Sequence, residues 1–288
     1  MSWVVVVVGV AMLLGGLAMS YQGYNRWEIA QRIADTPTTP AGDLDSTGPV
    51  ELEGTVVPKE SMDSPIAQRE NTVLAAWEVE QYHEDDDSSG WQNEGVGITS
   101  KPFYVEDESG RALVDLHGDV SGDGELLYGS EMLADVAGEG LHLDNIIAEF
   151  ESFDIAAEIP VDEPTPDHIT EFCTYQPNIF QPPEGGSGLV DMGNADGDRR
   201  YYEATLAAGD TVYLLGEAVA REGASEPLDT EDIVVEPPAD PQQRFILSDM
   251  GEDGLLSRKK RGRYRLAGGA VLAIVGVLAV LSGAAALL

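Results

Sequence analysis

Two long apolar runs, one at each end of the chain, dominate its hydropathy pattern. The first covers residues 1–21, of which positions 3–19 are almost entirely apolar, and the aromatic residues Tyr24 and Trp27 follow it. The second covers residues 266–288 and holds no charged side chain but many glycines and alanines, which suit close helix packing in lipid. Both runs are long enough to cross a bilayer, so we predict two transmembrane helices.

The first run could instead be a secretory signal peptide. Such a peptide has a basic amino-terminal region and a cleavage site of small residues. No basic side chain precedes Trp3, and Ala18-Met19-Ser20 is a poor cleavage site. These two features favour an uncleaved anchor.

Between the two runs, short stretches of alternating or β-branched character predict a domain over residues 50–248. Strands are expected at residues 50–57, 72–82, 102–107, 112–116, 200–206 and 211–219. The intervening polar or glycine-containing segments predict hairpins at residues 83–90, 108–111 and 207–210. The predicted fold class is mainly β, a β-rich α+β soluble domain between two transmembrane helices.

Helical and connecting segments complete the prediction. One helix is expected to begin with Thr165 as its cap and Pro166 as its first residue, and to end before Pro177. Residues 141–150 fit either a strand or a helix. Residues 22–49 are a predicted juxtamembrane segment and linker, because positions 35–49 are rich in Pro, Thr, Gly and Asp without periodicity. Residues 229–243 fit an excursion or a second linker.

The charge of the chain is strongly acidic. It has 288 residues with 52 acidic and 16 basic side chains, a formal net charge of −36. All 52 acidic residues and ten of the basic ones lie in residues 22–257, which therefore carry a net charge of −42. This balance excludes a basic nucleic-acid surface. Because self-repulsion on this scale is relieved by strong screening, it predicts a halophilic protein, such as an archaeal one.

Six basic residues form a collar (residues 249–265) before the second run: Arg258, Lys259, Lys260, Arg261, Arg263 and Arg265. Arg26 and Arg32 follow the first run, whose other side carries no side-chain charge. By the positive-inside rule, both asymmetries predict a cell-membrane protein with two spans, a cytoplasmic central domain and both termini outside. The six residues are also the candidate membrane-interface residues, and anionic lipid headgroups are their expected partners.

Catalytic and cofactor motifs are not found in the sequence. The single cysteine, Cys173, excludes an intrachain disulfide and a cysteine-rich zinc site, and it fits a small buried hydrophobe. The acidic stretch 191–198 resembles a calcium-binding loop, but Met192 stands where the first ligand belongs. The four histidines are scattered along the chain: His83, His117, His142 and His168. We therefore predict no catalytic, cofactor-binding or metal-binding residue.

Four short motifs follow one another along the chain in an order known from another protein family. They are Gly-Thr-Val-Val at residues 54–57, Phe-x-x-x-Asp-x-x-Gly at 103–110, Gly-Asp-x-Val-Tyr at 209–213 and Phe-Ile-Leu-Ser at 245–248. With its two flanking runs, the chain resembles the GIDE domain, also called the beside-a-membrane domain, over residues 50–288. This domain is known from a mitochondrial outer-membrane RING-type ubiquitin ligase and from archaeal and bacterial relatives.

The resemblance implies a role in ubiquitin-type protein modification, which in that family resides in a RING after the second span. A RING needs about eight Cys and His ligands, and this chain has one Cys and four His. Ligase activity is therefore not carried over to this RING-less chain.

Three functions remain open from the sequence. The first is a membrane-anchored binding or scaffolding module that recruits an unidentified protein partner. The second is enzymatic: an accessory in protein modification, or a hydrolase whose site would gather His83, His117 or His142 with a carboxylate. The third is a structural protein that shapes or tethers the membrane.

Overall fold

A computed structural model describes residues 2–85, 88–122, 125–126, 140–143, 145–176, 195–240, 243–260 and 262–285. These residues form two compact units, one made of Met1–Pro37 with Glu252–Leu288 and the other of Thr38–Gly251. The described helices are α1 (Ser2–Asp35), α2 (Asp167–Tyr175), α3 (Gly251–Lys260) and α4 (Gly262–Ala285). The β-rich fold with two terminal apolar helices is thus confirmed.

The described strands all belong to the unit Thr38–Gly251, called the β-rich unit below. They are β1 (Gly48–Pro58), β2 (Thr72–Asp85), β3 (Ser88–Ser100), β4 (Phe103–Glu106), β5 (Arg111–Val114), β6 (Val120–Gly122), β7 (Glu125–Leu126), β8 (Gly140–Leu143), β9 (Ile146–Glu149), β10 (Asp154–Ile159), β11 (Arg199–Ala207), β12 (Thr211–Ala220), β13 (Ile233–Glu236) and β14 (Phe245–Ser248). Residues 141–150, which the sequence left open, are therefore strands β8 and β9.

The strands make two sheets. The larger has the order β1-β4-β5-β13-β12-β14-β9-β8-β7, and five of its strands close into a ring because β12 also pairs with β1. The smaller is antiparallel and has the order β10-β11-β2-β3-β6. A single apolar cluster includes side chains of both sheets, among them Leu74, Ile98, Leu206, Leu214 and Phe245. This cluster is the main core of the unit.

The helix α2 covers the other face of the smaller sheet. Ile169, Phe172 and Cys173 form its buried stripe and pack against Trp77 and Tyr201. The helix begins one residue later than predicted, because Pro166 has an extended ψ of 144° and is the cap itself. It ends before Pro177, as expected from the restriction that proline places on the preceding residue.

Two predicted features differ in the structure. Residues 207–210 do form a turn, with Gly209 at a φ of +88°, but β11 and β12 do not pair as the predicted hairpin. They belong to different sheets, so the turn carries the chain from one sheet to the other. The predicted linker 35–49 is packed: Ala41 and Leu44 are buried in the core, and Asp107 accepts a hydrogen bond from the Ala41 backbone N–H at 2.8 Å.

The second predicted linker, residues 229–243, is also structured in its described part, because it contains strand β13. By contrast, the hairpin of β4 and β5 around residues 107–110 is confirmed. The hairpin of β2 and β3 is confirmed too, but its strands extend through most of the predicted loop 83–90.

The terminal helices are packed antiparallel along glycines. Each helix has a stretch long and apolar enough to cross a bilayer, Trp3–Tyr21 and Leu266–Ala285. A Cβ added at Gly16 would lie 2.7 Å from the Gly269 carbonyl oxygen, and one added at Gly269 would lie 2.7 Å from the Gly16 oxygen. Two helical turns further along, Gly9 and Gly276 face each other in the same way, and a Cβ added at Gly276 would lie 2.7 Å from the Gly9 carbonyl oxygen. The two backbones are therefore in direct contact, which only glycine allows.

Gly97 makes the tightest glycine contact in the smaller sheet. It lies on β3 opposite Trp77, and a Cβ there would come within 2.6 Å of the indole Cε2 atom. We expect Gly97→Ala to lower the free energy of unfolding by about 2–4 kcal/mol, since the buried indole cannot move without losing its packing on Phe172. Gly90→Ala, in open space on the same strand, is the control and should change it by less than about 0.5 kcal/mol. Equal effects in chemical denaturation would contradict this packing.

Candidate functional site

One face of the smaller sheet changes character along its length. On β2, Leu74 and Ala76 lie in the main core, whereas the next residues on that face are Glu78 and Glu80. Strand pairing places polar and aromatic residues beside these glutamates. This set is called the polar–aromatic face below and consists of Glu78, Glu80, Tyr82, Trp91, Asn93, Arg200 and Tyr202.

Glu78 is the most deeply buried acid of this face. Its exposed fraction is 0%, one carboxyl oxygen accepts a hydrogen bond from Asn93 Nδ2 at 2.7 Å, and the other, Oε2, has no hydrogen-bond partner among the described residues. Burial raises the pKa of this carboxyl to about 8, and the charge of Glu80 contributes to the rise. Glu78 is therefore protonated at neutral pH.

The burial of Glu78 predicts a pH-dependent stability. The pKa of Glu78 is near 8 in the folded chain and near 4.5 in the unfolded chain. Folding therefore favours the protonated carboxyl, and the free energy of unfolding falls as the pH rises from about 4.5 to 8. We expect Glu78→Gln to remove this fall, so that its gain over wild type grows from near zero at pH 5 to about 2–4 kcal/mol at pH 9. The measurement is denaturant unfolding across that range.

The control for this prediction is Glu84→Gln, the same change at an exposed position of the same strand. It should leave the pH dependence of wild type in place. A Glu78→Gln variant whose unfolding free energy follows the wild-type pH profile would refute the assignment.

Tyr202 links Glu80 to the aromatic part of the face. Its hydroxyl donates a hydrogen bond of 2.9 Å to Glu80 Oε2, and its ring stacks on Phe153 with centroids 6.3 Å apart and an angle of 4°. Burial raises the pKa of the Tyr202 hydroxyl well above its ordinary value, and the charge of Glu80 adds to this. Tyr202 therefore keeps its proton and acts as a fixed donor.

Trp91 and Arg200 form the outer part of the face. The Arg200 guanidinium lies over the Trp91 ring, 4.0 Å from its centroid, and Tyr82 packs against the edge of the same ring at 5.4 Å. Arg200 also pairs with Glu158 of β10 at 3.4 Å, whereas its Nε atom is buried without a hydrogen-bond partner among the described residues. The indole thus already accepts a cation on one face.

A histidine with two carboxylates lies at the same end of the sheet. His83 of β2 has Nε2 3.2 Å from Glu94 Oε1 and Nδ1 3.8 Å from Asp196 Oδ1. Asp196 comes from the acidic stretch 191–198, whose residues 191–194 lie outside the described part. Two segments that stood apart in the sequence are therefore brought together.

The other three histidines lie on different elements. His117 pairs with Glu236 at 3.2 Å, His168 of α2 is 3.2 Å from the Ile66 carbonyl oxygen, and His142 lies on β8. Within the described ranges, no group of three or more His, Cys, Asp or Glu side chains is placed to hold a metal ion. The histidine-based hydrolase site considered from the sequence therefore gains no support.

Cys173 is buried, as predicted. Its Sγ atom lies 3.9 Å from the Tyr201 hydroxyl, and burial raises the pKa of the thiol. Such a thiol is a poor nucleophile. A shallow surface depression lies close by and is lined by Ile159, Pro160, Val161, Glu163, Thr165, Gly197, Arg199 and Tyr201.

The basic collar is divided between two helices. Arg258, Lys259 and Lys260 lie in α3, and Arg263 and Arg265 lie in α4. Arg261 lies outside the described residues. The predicted role of all six at a membrane interface stays a prediction.

Comparisons of this chain with models of known protein families, with curated proteins and with solved structures give no match.

The polar–aromatic face was not predicted from the sequence. The acidic alternation of Glu78 and Glu80 was a visible signal, because both continue the face of Leu74 and Ala76. Arg200 and Tyr202 come from a distant strand, and only the fold brings them to this face.

Proposed function

We propose that this chain is a cell-membrane protein whose terminal helices α1 and α4 insert as a packed antiparallel pair. The β-rich unit is then a binding or scaffolding module at the inner membrane face, where it recruits a protein partner. The collar residues contact anionic lipid, and both termini lie outside, because basic residues flank the spans on the side of the β-rich unit.

The observation that carries the proposal is the apolar exterior of the helix pair. Only 11% of the most apolar window of α1 and 22% of that of α4 are buried within the chain. Large apolar side chains such as Leu14, Ile274 and Leu278 are about 60% exposed. Exposed apolar surface on this scale is unfavourable in water and favourable in lipid.

The lack of a supported reaction centre among the described residues leads us to propose a binding module over an enzyme. A GIDE-like relationship is part of the proposal and rests on the order of the four sequence motifs. Gly-Thr-Val-Val lies in β1, Phe-x-x-x-Asp-x-x-Gly makes the β4–β5 hairpin, and Phe-Ile-Leu-Ser is β14.

The proposal is tested by chemical crosslinking in native membranes at molar salt, followed by mass spectrometry of the purified protein. The comparison is a variant in which residues 38–251 are replaced by a short flexible linker, so that both spans and the collar remain. A reproducible protein partner seen with the full chain but not with this variant is the expected result. Self-crosslinks alone would favour the membrane-organising structural role.

A further inference from the structure

We infer that Tyr21, Tyr24 and Tyr264 form one aromatic belt, called the tyrosine belt below, which lies in the inner headgroup region of the bilayer. Beyond this belt, residues 25–35 of α1 form a helical spacer in water. The inference rests on the proposed membrane insertion of α1 and α4, and it adds the level at which lipid ends and water begins.

The first argument is that the three tyrosines lie at one level of the helix pair. A Cβ added at Gly269 would lie 2.7 Å from the Gly16 carbonyl oxygen and 2.6 Å from the Ser20 backbone nitrogen, so Gly269 is level with that turn of α1. Tyr264 comes five residues earlier in the antiparallel helix α4, which places it level with residues 21–25 of α1. This stretch of α1 contains the other two tyrosines.

The second argument is the exposure of these rings. Tyr21 is 63% exposed, Tyr24 is 48% exposed and Tyr264 is 81% exposed, so their side chains are not taken up by packing between the helices. Tyrosine has an apolar ring and a polar hydroxyl, and it is enriched where a membrane meets water. Three exposed tyrosines at one level therefore fit the headgroup region of a bilayer.

The third argument is the level at which charge begins. Along α1 from its amino terminus, the first charged side chain is that of Arg26, whereas α4 is uncharged after Arg265. Arg265 comes four residues before Gly269, which places it level with residues 20–24 of α1. Both helices thus change from uncharged to charged at the tyrosine belt, as the boundary of the hydrocarbon requires.

The fourth argument is the length of the apolar surface. Trp3 at the outer end of α1 is 67% exposed. From position 3 to position 21, a helix rises about 27 Å, and the hydrocarbon core of a bilayer is about 30 Å thick. The exposed aromatic side chains at the two ends of this surface therefore match the two interfaces of one bilayer.

The spacer follows from the length of α1. This helix continues without a break to Asp35, and its 11 residues after Tyr24 extend about 16 Å. The spacer carries charged side chains such as Glu28 and Arg32, which lie 3.8 Å apart and favour water over hydrocarbon. The helix that leads to the β-rich unit thus leaves the bilayer well before it ends.

The experiment measures the depth of nitroxide labels on single cysteines, in the full chain with Cys173→Ser. The chain is reconstituted in phosphatidylglycerol nanodiscs at molar KCl, and circular dichroism confirms that each labelled variant folds. The label sites are Leu17→Cys, Ala270→Cys, Tyr264→Cys and Glu28→Cys, all at exposed positions. Oxygen, which concentrates in hydrocarbon, and a neutral nickel complex, which stays in water, are the two relaxation agents.

We expect the labels to report three environments. Leu17 and Ala270 lie at one level of the two helices, so both labels should respond mainly to oxygen and give equal depths. The Glu28 label should respond to nickel at least about tenfold more strongly than the Leu17 label, because hydrocarbon excludes water. The Tyr264 label should give a response between these two.

Other outcomes overturn the inference in distinguishable ways. A Glu28 label as shielded from nickel as the Leu17 label would refute the spacer, and a Tyr264 label as deep as the Ala270 label would refute the belt. Unequal depths at Leu17 and Ala270 would refute the shared level. Each of these results leaves an inserted helix pair standing. Strong nickel contact at all four positions would instead count against the membrane insertion itself.

Discussion

We expect the β-rich unit to unfold when the salt concentration falls from about 3 M to about 0.1 M. Residues 22–257 carry 52 acidic and ten basic side chains, so most carboxylates have no basic side chain to pair with, although ion pairs such as Arg69–Asp210 at 2.9 Å do form. At 0.1 M salt the screening length is about 10 Å, so neighbouring carboxylates repel one another, whereas at 1 M it is about 3 Å. The lost stability should be comparable with the whole free energy of folding, about 5–15 kcal/mol.

The measurement is circular dichroism of the full chain in neutral lipid nanodiscs during a KCl titration. A matched variant replaces six exposed acids by their amides and should fold at lower salt: Glu60, Glu70, Glu106, Glu108, Asp162 and Glu171. A wild-type unit that keeps its full strand signal and cooperative melting in 0.1 M KCl would show that the acidity is not an adaptation to salt.

The second large effect is expected at the glycine contacts between α1 and α4. We expect Gly16→Leu to separate the two helices, because its Cβ alone would lie 2.7 Å from the Gly269 oxygen. Gly15→Leu is a closely matched control, since nothing lies within 4 Å of a Cβ at that position. The packing should therefore distinguish two adjacent glycines of the same helix.

The helix separation is measured by disulfide formation between Met12→Cys and Ala273→Cys, in a Cys173→Ser background. Met12 lies three residues after Gly9 and Ala273 three residues before Gly276, so the register that pairs Gly9 with Gly276 and Gly16 with Gly269 puts both positions at the same level of the antiparallel pair. We expect Gly16→Leu to reduce the disulfide yield at least about tenfold and Gly15→Leu to leave it near the parental level. Equal yields in both variants would refute the glycine-mediated contact.

The glycine contact could have been found in the sequence, but a search for G-x-x-x-G uses the wrong spacing. The glycines recur every seven residues, at Gly9 and Gly16 and again at Gly269 and Gly276. Seven residues are two helical turns, so each pair lies on one face of its helix. That the two faces meet each other is a tertiary fact, which neither run shows alone.

Strands were easier to predict than their partners. Alternation and turn residues located β1, β4, β5, β11 and β12 because these signals are local. The turn before β12 resembles a hairpin, and Asp210 even accepts a hydrogen bond from the Ala207 backbone N–H at 2.8 Å. Nevertheless, β11 joins the smaller sheet because it pairs with β2, and β12 joins the larger sheet because it pairs with β1.

The polar–aromatic face shows the same limit. Glu78 and Glu80 could be assigned to one side of a strand from their spacing. That Glu78 would be buried, with Asn93 beside it and Tyr202 on the next strand, depends on residues up to 124 positions away. No local pattern reports such an arrangement.

The central claim is that α1 and α4 span the membrane and that the β-rich unit lies on its cytoplasmic side. It is tested most directly by labelling single cysteines with a membrane-impermeant maleimide. In a Cys173→Ser background, Ser2→Cys probes the outer end of α1 and Tyr175→Cys, 75% exposed in the wild type, probes the β-rich unit. We predict that intact cells label only at position 2 and that position 175 labels after lysis. Labelling of position 175 in intact cells, or release of the protein by alkaline carbonate, would contradict the account.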